Sequence, residues 1–466
     1  MRLTPGAGHD VDLDDVDLLD LDLYTSGDPH RIWDAMRARA PLHHQTLAEG
    51  REFWSLTRYD DVCRVLGDHR EFTSERGTVI THLGEDDVAA GVLLTSTDPP
   101  RHTEVRRPIA PKLTARAVRS WEDGIRRAIV RFLEPAVESG TFDLGEQVQR
   151  LPAIVTGPLL GIPEQDWDGL VQLTSMVMAP SDPHFKLGSE AATLAIAHHE
   201  LVDYVTQWVK RRRSDGGEDE SLLDHLMSVR AGGAPLTDEE IALDGYSILL
   251  GANITTPWTI SGTVQALVEH PEQYARAAAD LSLVPNLVEE GLRWTSSACN
   301  FMRYAVHDVE IGGGTIPAGG AVVAWIGSAN RDGTQFPDPH RFDITRDNAK
   351  RQVAFGFGPH FCIGAPLARM TLRIFFEELL GRCESIEFAG EPQHLRSIFI
   401  AGMTQLPVTV RRRRPDGRHR GGQRVAGPAT AGADAAARPA GTTDSGCPAI
   451  AAVLPQQVPV KANSGF

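Results

Sequence analysis

The chain is poor in cysteine: Cys63, Cys299, Cys362, Cys383 and Cys447 are the five in 466 residues. No two of them share a paired spacing, so a disulfide framework is not expected, and a reducing cytoplasm is the natural setting. Apolar runs are short, none approaching the roughly 20 residues a helix needs to cross a bilayer. The first residues lack the basic-then-apolar pattern of a secretory signal and carry Asp10, Asp12, Asp14, Asp15, Asp17, Asp20 and Asp22 instead. That argues against secretion and against a membrane anchor. Cationic excess is missing as well: the formal net charge is −16, which makes wholesale nucleic-acid binding improbable.

What is there suffices for a substantial core, with 41% apolar residues. Helical periodicity covers 29–40, an alternating strand covers Phe53–Thr57, and Tyr59–Leu66 returns to helix. From about Thr114 to Arg230 amphipathic helices follow one another, broken at Gly157-Pro158, Gly161–Pro163 and Pro180–Pro183. Short strands with Gly-rich turns occupy Val306–Val323. The pattern predicts one large, mainly α domain with a minor β region over 20–410, after an acidic segment 1–19. Residues 411–466 open with Arg411, Arg412, Arg413 and Arg414 and turn Ala/Gly/Pro-rich. The basic cluster could meet nucleic acid or anionic lipid, but this composition reads first as a solvated, disordered tail.

One stretch stands out: Phe355-Gly356-Phe357-Gly358-Pro359-His360-Phe361-Cys362-Ile363-Gly364. Gly356, Gly358 and Gly364 can take left-handed turns and leave room for a flat ligand. Backbone N–H groups in such a turn can hold a sulfur as thiolate, the form that binds metal. A cysteine in a Gly-rich turn can also be plain core. The full pattern, running on into Ala365-Pro366-Leu367-Ala368-Arg369, closely resembles the haem-thiolate signature of the cytochrome P-450 family, and the resemblance spans roughly 20–410. It is to the soluble bacterial members.

The resemblance implies haem b with Cys362 as axial ligand and metal-binding residue, and Phe355 and Gly356 in the cradle. It implies that His102 and Arg106, four apart on a helix opened by Pro99-Pro100, hold the haem propionates together with Arg303 and His360. Without it, His102 and Arg106 read as a solvated helix face. Glu290 and Arg293 lie one helical turn apart and read alone as a surface ion pair. In the family such a pair is buried, and Arg341, in Phe336-Pro337-Asp338-Pro339-His340-Arg341-Phe342, is matched as its third, structural member.

The departure is on the oxygen side. In Leu249-Leu250-Gly251-Ala252-Asn253-Ile254-Thr255-Thr256-Pro257, Gly251 and Ala252 fill the small positions, Thr255 the alcohol, and Ile254 the place of the family's acid. Isoleucine carries no proton, so delivery falls to Asn253, Thr256, water or the substrate. Pro257 should kink the helix and free a carbonyl near Asn253. Thr255 could instead bond back to its own helix. Family topology suggests Val79, Leu83, Met176, Met178, Ala252, Asn300, Ile400 and Met403 as pocket liners, although each alone reads as core.

No flavin or iron–sulfur segment is visible, so electrons are expected from a ferredoxin and its reductase. Arg107, Lys112, Arg116, Arg119, Arg126 and Arg127 offer a basic docking face. The resulting expectation is a monomeric monooxygenase that inserts one oxygen atom of dioxygen into a small, mostly apolar organic substrate of secondary metabolism. Two rivals are an atypical haem-thiolate enzyme (peroxide-driven, radical-coupling or otherwise oxidative) and a non-catalytic haem-binding protein.

Overall fold

Helices dominate because the long apolar periodicities run at the helical repeat, and the computed structural model is 54% helix and 14% strand. It describes residues 11–84, 89–215 and 221–413; the expected disordered tail from residue 414 on lies outside them. In chain order the elements that matter here are α1 (Pro29–Arg39), β1 (Leu42–Thr46), β2 (Glu52–Leu56), α2 (Tyr59–Gly67), β3 (Phe72–Thr73) and α3 (Arg101–Ile109). They continue with α4 (Glu122–Ser139), β4 (Thr141–Asp143), α5 (Leu151–Leu160), α6 (Trp167–Met178), α7 (Glu190–Asp215), α8 (Asp238–Asn253), α9 (Thr256–Glu269) and α10 (Val284–Thr295). The last are β5 (Asn300–Ala305), β6 (Ala321–Trp325), α11 (Ala365–Arg382), β7 (Cys383–Phe388) and β8 (Pro407–Arg412).

Helix starts follow their caps. Asp28 accepts the Arg31 N–H ahead of Pro29 in α1, and Thr237 and Glu240 form a reciprocal capping box at the start of α8. A five-stranded sheet runs β1-β2-β6-β5-β3, with β6 parallel to β2 and antiparallel to β5. Its register sets Arg303 opposite Val322 in the middle of the sheet. A second sheet orders β7-β8-β4. The main core gathers apolar faces of α9, α10 and α11, including Ile260, Val264, Leu287, Leu292, Phe375 and Phe376.

Four boundaries differ from the sequence expectation. The acidic segment is not separate: Leu18 is fully buried and its N–H reaches the Gln45 side chain at 3.1 Å. Helix α5 runs through Gly157-Pro158 and ends only at Gly161, whose φ is 74°. The proline sits in the last turn, where few helical bonds remain to lose. The 240–262 run is two helices rather than one kinked helix, because α8 stops at Asn253 and α9 begins at Thr256. Finally, Arg411 and Arg412 belong to β8, where Arg412 pairs with Cys383.

Candidate active site

Cys362 lies between a left-handed loop and the start of α11. Gly356 and Gly358 have φ of 74° and 71°. A Cβ on Gly358 would fall 2.5 Å from the Gly67 Cα and 2.8 Å from the Leu66 carbonyl oxygen, so only glycine lets the loop press against α2. Gly364 differs from expectation: its φ is −81° and it caps α11. The Cys362 N–H bonds the Phe355 carbonyl at 2.8 Å, which closes the loop. Burial pushes the thiol pKa up, while the N–H groups of Gly364 and Ala365 and the cations Arg106 and Arg369 pull it down. Burial wins, so the loop alone favours the thiol over the thiolate. Arg369 also bonds Glu289 at 2.6 Å and stacks over Phe355 at 4.6 Å, bracing the loop from α11.

Beside this loop two histidines and two arginines, His102, His360, Arg106 and Arg303, come together from distant segments. The rings of His102 and His360 lie 4.3 Å apart. Burial drives the His102 pKa down to about 3, helped by His360 and Arg106, and both its ring nitrogens are buried without a partner. Arg303 is 4% exposed, and its guanidinium donates to the neighbouring Met302 carbonyl at 2.7 Å; burial lowers its pKa to about 10, so it stays charged at neutral pH. Arg106 reaches the Phe361 carbonyl. Asp98, which the sequence reading left without a role, holds His360 from behind, 3.9 Å from Nε2. Burial would raise the Asp98 pKa, but His360, the Thr73 hydroxyl and the Ser74 N–H bring it down to about 2. The His102 ring nitrogens lack a partner and sit beside two arginines, an arrangement that suits an anionic group.

The second segment singled out by the sequence is the break between α8 and α9. Gly251 is exposed, and a Cβ built on it would meet nothing within 4 Å. Thr255 and Thr256 are half-buried. The Thr255 carbonyl accepts from the Thr259 N–H at 3.0 Å and its hydroxyl at 3.1 Å, and no described hydrogen bond occupies Thr255's own hydroxyl. Asn253 is buried and its NH2 group is spent on the Leu249 carbonyl at 3.1 Å. Space over Gly251, a cysteine in a glycine loop and two arginines beside the unpartnered His102 ring suit a flat, anionic macrocycle that Cys362 would hold. Among the described residues no group of three or more His, Cys, Asp or Glu could hold a metal ion by itself.

The supporting network needs one correction. Glu290 and Arg293 form a fully buried pair at 2.7 Å, but Arg341 is not its third member. Its side chain is 64% exposed and lies 3.9 Å from Asp343; it contributes only its carbonyl, which accepts from Arg346 at 2.8 Å. Arg346 takes the place, 3.1 Å from Glu290 and 8% exposed. The chain turns after Phe342, so the arginine five positions later points inward. Nothing in the local pattern marks Arg346 over Arg341.

The suggested liners divide. Val79, Met178 and Ile400 gather with Ile254, Phe399 and Phe301 beside the helix break. Ala252 packs against the cluster of α7 and α8. Leu83 and Met403 belong to the main core, and Leu83 also lines a separate surface cavity of about 300 Å³ with Arg51, Trp54 and Tyr304. Asn300 is fully buried and donates to the Ile398 carbonyl at 3.0 Å. Met176 is 1% exposed. Among the basic residues, Arg126 is engaged by Glu377 at 2.5 Å and Glu378 at 2.6 Å and drops out of the free set. Arg107, Arg116, Arg119 and Arg127 are exposed and Lys112 half-exposed.

Comparison with known proteins agrees with this geometry. The family description "Cytochrome P450" matches residues 170–398. The cytochrome P450 monooxygenase PikC of Streptomyces venezuelae is 35% identical, with 85% of this chain and 94% of that protein covered. The cyclomarin C epoxidase CymV of Salinispora arenicola is 32% identical, covering 82% of this chain and 96% of CymV. The crystal structure of CYP108D1 from Novosphingobium aromaticivorans superposes with a TM-score of 0.75 at 28% identity, covering 85% of this chain and 97% of that one. On the fold, the cysteine loop and these relatives together, the chain belongs to the cytochrome P450 family and is a monooxygenase of that family.

Proposed function

We propose that Cys362 is the axial thiolate of a haem b, that His102, Arg106, Arg303 and His360 hold its propionates, and that the enzyme oxidises a small, mostly apolar organic molecule of secondary metabolism. The observation that carries this reading is the buried His102 ring, whose nitrogens have no partner, beside the buried cation of Arg303 and a cysteine set in a glycine loop. Bound haem supplies reductive activation of dioxygen and transfer of one oxygen atom to a substrate. The chain's own part is to hold and tune. The N–H groups of Gly364 and Ala365 stabilise negative charge on the sulfur. Gly251 leaves room on the other side, and the Thr255 hydroxyl is available to donate toward a ligand there.

Ile254 contributes no proton, and Asn253 carries an amide that does not ionise, with one N–H given to the Leu249 carbonyl. Proton delivery therefore falls to Thr255, Thr256 and water held near the helix break. The relatives support the metabolic setting, since one of them is named for epoxidation of cyclomarin C. We place ferredoxin on the side of α11. The helix Ala115–Val118, which carries Arg116, and α4, which carries Arg127, pack against α11, the helix that follows Cys362. Phe357 and Phe361 flank Cys362 there, 45% and 39% exposed. A peroxide-driven reaction is the second reading, favoured by the burial of Ile254 where an acid is usual. Faster turnover with peroxide than with ferredoxin and reductase would select it.

The test is spectroscopic. Reduced, carbon-monoxide-treated protein should show the red-shifted Soret band of thiolate-ligated haem, and Cys362→Ala should lose it. Retention of that band in the variant rejects the assignment.

A further inference from the structure

The surface cavity of about 300 Å³ lies at the five-stranded sheet, and no residue of the Cys362 loop or of the α8–α9 break lines it. Its floor comes from strands on either side of β6, with Trp54 from β2 and Tyr304 from β5, and from Leu83. All three side chains are buried. Gly320 shapes the wall: a Cβ there would fall 2.9 Å from the Trp54 ring and 2.9 Å from the Pro317 carbonyl oxygen, so the indole lies where a side chain would stand. The volume reaches the lower end of small-molecule sites, about 300–1,000 Å³, and an aromatic floor is what such sites use.

Four charged side chains rim this floor, and two of them are already engaged. Arg51 donates to Glu49 at 2.8 Å and to the Leu83 carbonyl at 2.6 Å. Glu52 lies 3.0 Å from His44 Nε2. Glu75 and Arg76 differ: both are exposed, and they form no ion pair with each other. One Glu75 carboxylate oxygen accepts the Asp98 N–H at 3.0 Å, and no described hydrogen bond reaches the other. The Arg76 guanidinium sits over the Tyr304 ring, 4.5 Å from its centroid, and meets the Gly319 carbonyl only at 3.4 Å. No carboxylate among the described residues pairs with it. The ring therefore places this cation while leaving donors free. The cavity presents an aromatic floor, one available cation and one available carboxylate oxygen on adjacent residues.

We propose that this cavity binds a small aromatic zwitterion, a flat ring bearing an ammonium and a carboxylate as in an aromatic amino acid. The ring lies over the Trp54–Tyr304 floor, the carboxylate meets Arg76, and the ammonium meets Glu75. A plain anion would face the free Glu75 oxygen, and a plain cation would face Arg76, so each sets like charges together. A neutral ring leaves both charges unmatched, whereas a ligand carrying both satisfies both. The occupant is a molecule other than the one oxidised, because the cavity shares no lining residue with the Cys362 loop or the helix break. This inference goes beyond the haem-thiolate reading and does not depend on it.

Calorimetric titration of the full-length holoprotein with L-tryptophan tests this. Binding should be one-to-one, leave the Soret band unmoved, and keep its affinity in the presence of saturating 4-phenylimidazole, an iron ligand. Tryptamine and indole-3-propionate, each lacking one charge, should bind about tenfold more weakly, the low end for a charge-assisted hydrogen bond. Arg76→Gln should abolish the preference for tryptophan over tryptamine and keep that over indole-3-propionate. Glu75→Gln, which still offers an acceptor to the Asp98 N–H, should do the reverse. No binding in the parent, competition by 4-phenylimidazole, equal affinity for the three compounds, or an unchanged preference in either variant overturns the proposal. Should the parent show no haem spectrum, the functional reading fails, while the titrations of the parent and the two variants still decide this one.

Discussion

Arg341 and Arg346 show how little a residue's type says about its neighbours. Both are arginines in one short, proline-rich turn, yet one lies in water and the other against Glu290. Replacing Arg346 with alanine leaves part of a buried carboxylate unpaired and should cost about 3 kcal/mol. Arg341→Ala should stay within about 0.5 kcal/mol. Urea midpoints at constant slope check both, and the reverse order would refute the assignment. Thr255 belongs to the same scale. Its hydroxyl has no described partner, so Thr255→Ala should fold normally and bind haem, yet yield several-fold less product per dioxygen consumed. Equal coupling in the variant would remove Thr255 from proton delivery. Cys362, His102, Arg106, Arg303 and His360 were singled out because the family's motif carries them in order, and the fold brings His102 and His360 together. Asp98 and Arg346 were not, since each acts through a contact that only folding creates.

At the scale of elements, glycine and proline were read correctly where the chain reverses and wrongly where it does not. Gly358 must be glycine because α2 lies against it, a contact no local pattern contains. Pro158 stays inside α5, whereas Pro257 accompanies a complete interruption, with α8 ending four residues before it. The difference lies in position: one proline sits in a closing turn, while the other leads the first turn of α9, where its missing N–H costs nothing. The basic segment makes its own prediction. Charge reversal at Lys112 and Arg116 should slow reduction by ferredoxin several-fold at low salt and flatten its salt dependence. Stopped-flow reduction kinetics measure this, and an unchanged slope against ionic strength would remove the docking face. Arg126 is a poor choice for that experiment, because it is already tied to α11.

Over the whole molecule, stability should carry a pH signature from buried acids of opposite sign. Asp244 in α8 accepts the Leu94 N–H at 2.7 Å. Burial raises its pKa from 3.8 to about 7, against the pull of that N–H and of Arg101. The folded state therefore keeps a proton that the unfolded chain releases, and stability falls as pH rises from about 4 toward 7. Asp244→Asn preserves an acceptor for Leu94 and should flatten this part of the Tm profile; a parallel profile would show that Asp244 is not the source. Asp98, held down to about 2, acts oppositely: its contribution is present above the ordinary carboxylate range and lost in acid.

The sequence by itself determined the class, the mainly helical fold, the cysteine in its glycine loop and the lack of an acid beside Thr255, because these depend on residue types at short spacings. Tertiary structure alone decided which arginine meets Glu290, where the long distal helix divides, and that Ile254 packs into an apolar cluster. Those outcomes are set by burial and by partners far apart in the chain, and no local pattern encodes a distant neighbour.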